Sequence, residues 1–258
     1  MKDAAGAAME IKELDRSAPV VCKKCVTSTN TIIKGLVPSG LPDGFVLAAE
    51  KQTSGRGRLG RSFESPEGGL YLSMLLYPRC QPEETATLTP CAAVAVSRAI
   101  EKVCGVSPEI KWPNDLKIDG KKLCGILTES SSYCGRRYVV IGIGINVNTK
   151  IAELAPEMRE IAASLYETAG RVTDLGALTA GIVRELDTMY ESWKADKSYC
   201  LDEYRKRCGS IGRDIWLLQN GERLKARSLD VDKSFALIVE ENGERRRIDF
   251  GEISIRQR

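Results

Sequence analysis

Lys111-Trp112-Pro113-Asn114-Asp115-Leu116-Lys117-Ile118-Asp119-Gly120-Lys121-Lys122-Leu123-Cys124-Gly125-Ile126-Leu127 is the stretch on which the fold turns. Apolar residues flank Asp119-Gly120 on both sides, and an Asp-Gly pair between such runs signals a tight β-hairpin, because its two central residues need positive φ. Strands are expected at 109–112, 116–118 and 122–131, followed by 137–147, which makes an antiparallel meander. Pro113 ends the first strand and presents Asn114 and Asp115. The hairpin then returns Lys122 beside them, so an amide, a carboxylate and an ammonium cluster. The plain alternative is a surface hairpin carrying an ion pair.

Outward from this meander the periodicity changes. Upstream, Ser28-Thr29-Asn30 caps a short helix over 28–36, residues 45–49 and 70–77 are strand-like, and 85–103 is an amphipathic helix closed by Gly105. Downstream, a helical stretch covers about 175–207 with a break near Asp196. From Gly209 short β segments follow at 215–218, 223–229, 234–239 and 246–250, joined partly by Asn220-Gly221 and Asn242-Gly243 turns. The expected fold class is α+β: a mixed or antiparallel central sheet with helices, and a small C-terminal β-barrel of roughly 50 residues. The expected divisions are 1–18, a frayed or helical extension; 19–208, the main domain; and 209–258, the barrel.

Composition narrows the chemistry. Lys and Arg number 38 against 35 Asp and Glu, so no global basic field points to nucleic acid. The longest apolar run, 138–147, is interrupted by Gly142 and Gly144 and falls well short of the roughly 20 residues that span a bilayer. Nine cysteines, an odd number, fit reduced thiols in the cytoplasm better than a disulfide framework. Cys22 and Cys25 lack the partners a zinc site needs. The chain contains no histidine, which removes Ser-His-Asp and Cys-His nucleophilic systems. Proton transfer is left to carboxylate, lysine, tyrosine or water.

Two more stretches carry chemistry. Between residues 52 and 69 no period holds, and Gly55-Arg56-Gly57-Arg58-Leu59-Gly60-Arg61 places three forked donors beside three glycines, a composition suited to closing on an anion. A P-loop is rejected, since Phe63-Glu64-Ser65-Pro66 prevents the required helix; an RNA-binding or merely solvated loop stays open on this stretch alone. Gly142-Ile143-Gly144-Ile145-Asn146 lacks the last glycine of a dinucleotide fingerprint. Two glycines in an apolar strand suggest a ligand or backbone packed against them, or a bulged core strand.

In this order, Ser28-Thr29-Asn30, Gln52 with the GRGRLGR loop, KWPNDLKIDGKKLCGIL and GIGIN resemble the biotin–protein ligase family, over about residues 19–255. The resemblance implies a class II synthetase-like ligase core with an SH3-like barrel, ATP and Mg²⁺ as requirements, biotin as substrate, and a biotin carboxyl carrier protein domain as partner. It implies biotin contacts from Ser28, Thr29, Asn30, Gln52, Arg56, Gly57, Arg58, Lys122 and Gly125. Contacts to ATP or the adenylate fall on Arg56, Arg58, Trp112, Asn114, Lys122 and Asn146. Arg56, Lys122 and Asp115 are the catalytic candidates, with Asp115 also implicated in metal handling. Thr27 stands where the family often has aspartate, Phe63 where tryptophan is frequent, and Cys124 where alanine is common.

The same resemblance leaves a lipoate ligase of similar fold and a non-catalytic biotin sensor as alternatives. Only about 18 residues precede the expected core, too few for a DNA-binding helix-turn-helix domain. No nucleic-acid or membrane partner is expected, and a homodimer through a sheet edge is.

Overall fold

The structure is a computed structural model and describes residues 9–11, 14–219 and 222–255. Strands β1 (Val20–Lys23), β2 (Val46–Ala49), β3 (Leu70–Leu76), β4 (Glu109–Lys111), β5 (Asp115–Ile118), β6 (Lys121–Tyr133) and β7 (Arg136–Ile145) form one seven-stranded sheet in the order β1-β2-β3-β7-β6-β5-β4. Only β1 and β2 pair in parallel. The expected meander is present, and its turn residues Asp119 and Gly120 have φ of 49° and 77°.

Helix α1 (Thr29–Leu36) is capped by Ser28, whose hydroxyl accepts from the Thr31 amide. Helix α2 (Leu88–Cys104) ends on Gly105 with φ 71°. It begins three residues later than the sequence pattern suggests, after a 3₁₀ turn over Glu83–Thr87. Twelve of its 17 residues are buried, because it lies between the sheet and α5 rather than on the surface. Short helices α3 (Pro156–Arg159) and α4 (Leu165–Ala169) precede α5 (Leu175–Ala195) and α6 (Leu201–Arg207), with the break at Asp196 as expected.

The two faces of the sheet do different work. Alternate residues of the central strands, among them Leu70, Leu72, Met74, Val139, Ile141, Ile143 and Ile126, join α2 and α5 in the main core. On the opposite face a smaller apolar cluster of Ile33, Phe45, Leu47, Leu75 and Val140 seats α1. That face is left uncovered farther along, and there most of the residues singled out in the sequence gather.

Strands β8 (Asp214–Gln219), β9 (Glu222–Val231), β10 (Leu237–Glu241), β11 (Glu244–Ile248) and β12 (Glu252–Ile255) form a second, antiparallel sheet, β11-β10-β9-β8-β12, consistent with an SH3-like barrel. The Asn242-Gly243 turn has φ of 53° and 83°; the Asn220-Gly221 turn lies outside the described residues. Trp112 joins the two sheets: it is buried, and its indole N–H donates to the Phe235 carbonyl at 2.9 Å.

The described part of 1–18 differs from a frayed or helical extension. The Met9 amide donates to Glu50 at 2.9 Å, and Arg16 forks onto both oxygens of Asp187 and reaches the Gly44 carbonyl at 2.7 Å. A bidentate guanidinium–carboxylate pair fixes geometry more firmly than a single contact, which explains an ordered extended segment here.

Candidate functional site

A single cleft on the open face brings together residues from six separate stretches of chain, within 28–30, 52–63, 111–115, 122–127, 142–144 and 252–253. Its lining includes Ser28, Thr29, Asn30 and Gln52 at one end and Arg56, Arg58, Lys111, Asp115 and Lys122 at the other. Gly125, Gly142 and Gly144 lie between, on neighbouring strands β6 and β7. All three backbone positions are occupied from above. A Cβ on Gly142 would stand 2.1 Å from Asn30 Oδ1, and one on Gly144 would stand 2.6 Å from the Phe63 ring. Both distances are far inside van der Waals contact. β7 pairs regularly with β3 and β6, so of the two readings of these glycines close approach holds and a bulge does not.

The first end is neutral and internally satisfied. Gln52 Oε1 accepts from the Thr29 amide at 2.9 Å, and Gln52 Nε2 donates to Ser65 Oγ at 3.1 Å. Ser73 Oγ stands 2.5 Å from Asn30 Oδ1 and 2.6 Å from Thr29 Oγ1. A hydroxyl has one proton and an amide oxygen only accepts, so the Ser73 proton belongs to Asn30. Asn30 Nδ2 donates to Glu129 at 2.8 Å, and Lys34 pairs with the other Glu129 oxygen at 2.5 Å. Burial raises the Glu129 pKa, but Lys34 and Asn30 outweigh it and hold the carboxyl below its ordinary value.

The second end is charged. Lys122 Nζ lies 2.8 Å from Asp115 Oδ1, as the hairpin predicts, and Lys111 Nζ lies 3.9 Å from Asp115 Oδ2. The Phe63 ring sits between the two ends, 5.7 Å from Lys122 Nζ and edge-on to Tyr71. Burial lowers the Lys111 pKa against the pull of Asp115.

The glycine-arginine segment is a small ordered hairpin. Arg56 bridges Ser62, the Gly57 amide donates to the Arg61 carbonyl at 2.7 Å, and Leu59 and Gly60 turn the chain at φ 56° and 74°. Gly55 is required because a Cβ would lie 2.4 Å from the Phe63 carbonyl. Arg58 latches the hairpin across the molecule, donating to Asn114 Oδ1 and to the Gly251 carbonyl, both at 3.0 Å. Arg61 pairs with Glu252 at 2.8 Å. Arg56 is exposed and forms no side-chain hydrogen bond or ion pair among the described residues.

Two of the sequence candidates are placed differently from the rest. Asn146 lies outside the cleft lining; its amide donates to the Ala163 carbonyl at 3.1 Å and ties the segment before α4 to the sheet. Trp112 borders the cleft with its N–H already engaged on Phe235. Sequence reasoning missed Ser65, Ser73, Glu129, Glu252 and the cleft-facing position of Lys111. The last was available from strand alternation, since Lys111 pairs Asp115 and Asp115 pairs Gly125.

A model of the Biotin/lipoate A/B protein ligase family matches residues 22–148. The Bifunctional ligase/repressor BirA of Bacillus spizizenii is 39% identical over 174 residues, covering 67% of this chain and 52% of the relative. The Escherichia coli protein of the same name is 31% identical over 234 residues, covering 90% and 72%. Among solved structures, the biotin protein ligase from Aquifex aeolicus in complex with biotin and ATP superposes with a TM-score of 0.79 at 27% identity, covering 94% of this chain and 100% of that one. The chain spans about half the length of the Bacillus relatives.

Proposed function

This chain belongs to the biotin/lipoate A/B protein ligase family, and from that premise we propose that it is an ATP-dependent biotin–protein ligase acting on a biotin carboxyl carrier domain. The observation that carries the reading is the cleft itself, a neutral hydrogen-bonding end and a cationic end joined over a glycine floor. A ureido ring attached to a carboxylate tail has that polarity, and the Aquifex relative holds biotin and ATP together.

In the first step a biotin carboxylate oxygen bonds to the α-phosphorus of ATP while the bond to the β-phosphate breaks and pyrophosphate leaves. The attacking carboxylate is ionised at neutral pH, so no histidine or other base is needed. Ser28, Thr29, Asn30 and Gln52, with Gly57 and Gly125 as close backbone, orient the ring. Lys122, Arg56 and Arg58 supply donors to the carboxylate and α-phosphate where charge accumulates. Asn114 keeps Arg58 in place, Trp112 walls the adenylate, and Asn146, whose amide oxygen is unpartnered among the described residues, takes the adenine amino group. Magnesium keeps most of its waters and needs only one or two protein carboxylates beside the phosphates, a need Asp115 meets while lying within the cleft. Held there, it would neutralise triphosphate charge.

In the second step a carrier lysine nitrogen bonds to the acyl carbon and AMP leaves with the bonding pair. The amine must first lose a proton, and Asp115 Oδ is the carboxylate placed to accept it. Asp115→Ala lowers single-turnover transfer from preformed biotinyl-adenylate; an unchanged rate removes Asp115 from this role.

The proposal includes the division into an extension over 1–18, a catalytic domain over 19–208 and a barrel over 209–258. It includes a cytoplasmic location, with which nine free thiols accord, and no nucleic-acid partner. A homodimer would form through the β1 edge, since the β4 edge already bridges Cys208. No helix of the described residues is long and apolar enough to cross a membrane. The deciding experiment is biotin-dependent ATP–pyrophosphate exchange with lipoate as control, followed by the mass of a carrier domain. Exchange with lipoate alone assigns a lipoate ligase, and biotin binding without exchange assigns a sensor.

A further inference from the structure

Five of the nine thiols are buried, and among the described residues only Cys91 and Cys200 are in direct sulfur–sulfur contact. Cys91 stands in the first turn of α2 and Cys200 immediately before α6, with their Sγ atoms 3.0 Å apart. That separation is about 1 Å longer than a disulfide bond, so a small adjustment of two side chains would close it. The contact belongs to a junction behind the sheet. There Trp193 of α5 donates to Thr87 at the start of α2 at 2.7 Å, and Tyr204 of α6 donates to the Pro113 carbonyl at 3.3 Å. Cys91 and Cys200 lie 109 positions apart. The chain between them carries β4 to β7, and with them the Lys122–Asp115 pair.

We propose that Cys91 and Cys200 are a site of reversible disulfide formation, closed by a hydroperoxide and reopened by a small thiol, whose closed form staples α2 to α6. Neither residue lines the cleft, so the site needs no ligase activity. The Cys200 thiolate attacks a peroxide oxygen, the O–O bond breaks, and the departing hydroxide takes up the thiol's proton as water. Cys91 Sγ then bonds to the sulfenic sulfur of Cys200, the S–O bond breaks, and a second water leaves with the Cys91 proton. Each sulfur gives up one electron and the peroxide gains two. Burial raises the Cys91 pKa and the Cys200 thiol adds to the effect, so the folded pair is a slow nucleophile. Reaction waits on opening of the turn at 197–200, the joint between α5 and α6. Once one sulfur is oxidised its partner is already in contact, and the second step needs no encounter. The closed bond restrains a long loop of the unfolded chain, the case in which a crosslink stabilises most.

The test takes the whole chain, either reduced with dithiothreitol or treated with hydrogen peroxide, then unfolds, alkylates and maps it by mass spectrometry. The expected product is a peptide pair linked through Cys91 and Cys200, two hydrogens lighter than its parts, and dithiothreitol should restore both thiols. The unfolding temperature of the peroxide-treated protein should stand roughly 10 °C above that of the reduced form. Cys91→Ala and Cys200→Ser should each abolish the difference. Recovery of both thiols in alkylatable form after the exposed Cys25 and Cys134 have been oxidised overturns the site. A link that leaves the unfolding temperature unchanged overturns the staple. The peptide map is made on the unsubstituted chain, so it decides the matter even if either variant fails to fold.

Discussion

The two ends of the cleft are built on opposite principles. At the neutral end Thr29, Asn30, Gln52, Ser65 and Ser73 hydrogen-bond mostly to one another, and Ser28, Thr29, Asn30, Ser65 and Ser73 are buried. At the charged end every contact involves a charged side chain, Arg58 to Asn114 and Gly251, Lys122 to Asp115, Arg61 to Glu252. A satisfied buried network fixes one shape, since each unmatched partner would leave a polar group without its bond. Charged groups held near water by single contacts can exchange those contacts for a ligand. Shape selection therefore belongs to the first end and electrostatic stabilisation of the reaction to the second.

The largest effect that this contrast predicts is at Lys122. In Lys122→Met the ammonium that compensates Asp115 at 2.8 Å is lost together with a donor to the reacting phosphate. Removing one preorganised donor of this kind costs on the order of 10²- to 10³-fold in rate. Exchange activity should fall by that factor while equilibrium binding of biotin falls less, by roughly tenfold, the loss of one charged hydrogen bond to its carboxylate, because the neutral end that holds the ring is untouched. A comparable loss in biotin affinity would show that the two ends are not separable.

The next effect, smaller, lies in the hairpin. Arg58→Gly removes both bonds that tie residues 55–61 to Asn114 and Gly251, so the hairpin opens even without ligand. Arg56→Gly removes no such bond and acts only through the ligand. Escape of preformed adenylate, followed by filter retention, should quicken in both variants, by roughly tenfold in Arg58→Gly, the loss of one to two charged hydrogen bonds. Hydrogen exchange of the 55–61 amides in the free protein should quicken in Arg58→Gly alone. Faster exchange in Arg56→Gly as well would mean that the latch is not the Arg58 pair.

How far these features were legible in sequence follows from the range of the contacts involved. The Ser28 cap, the Asp119-Gly120 turn and the break at Asp196 are local, and their residue types announce them. β1 and β12 were not foreseen. Val20–Lys23 is four residues long and is held as a strand by parallel pairing with Val46–Ala49, and Glu252–Ile255 pairs back to Asp214–Gln219. Neither partner can be inferred from a short alternating run. The site divides in the same way: Lys122 beside Asp115 follows from one hairpin, whereas the bond from Arg58 to Gly251 spans 193 positions. Helices α3 and α4 draw on contacts such as Leu165 to Asn146 and Ala163 to Lys122, made where residues after β7 fold back on the sheet end.

The smallest effect concerns the Glu129–Lys34 ion pair behind the neutral end. Glu129 orients Asn30 and is held below its ordinary pKa of 4.5, with burial opposing and Lys34 and Asn30 prevailing. A carboxyl whose folded pKa is depressed contributes stability above its unfolded value and loses it as pH falls through the folded one. Lys34 and Glu129 are each 27% exposed, so solvent screening limits the pair to about 0.5–1 kcal/mol. Glu129→Gln keeps an acceptor for Asn30 and removes only the charge, and a protonated carboxyl closely resembles that amide. The stability difference between wild type and Glu129→Gln, from urea unfolding, should be present at pH 6 and should narrow toward zero as the pH falls below the ordinary carboxylate value. A gap independent of pH would assign the anchoring of Asn30 to hydrogen-bond geometry alone, and the neutral end would then be uncharged in energetic terms as well as in its lining.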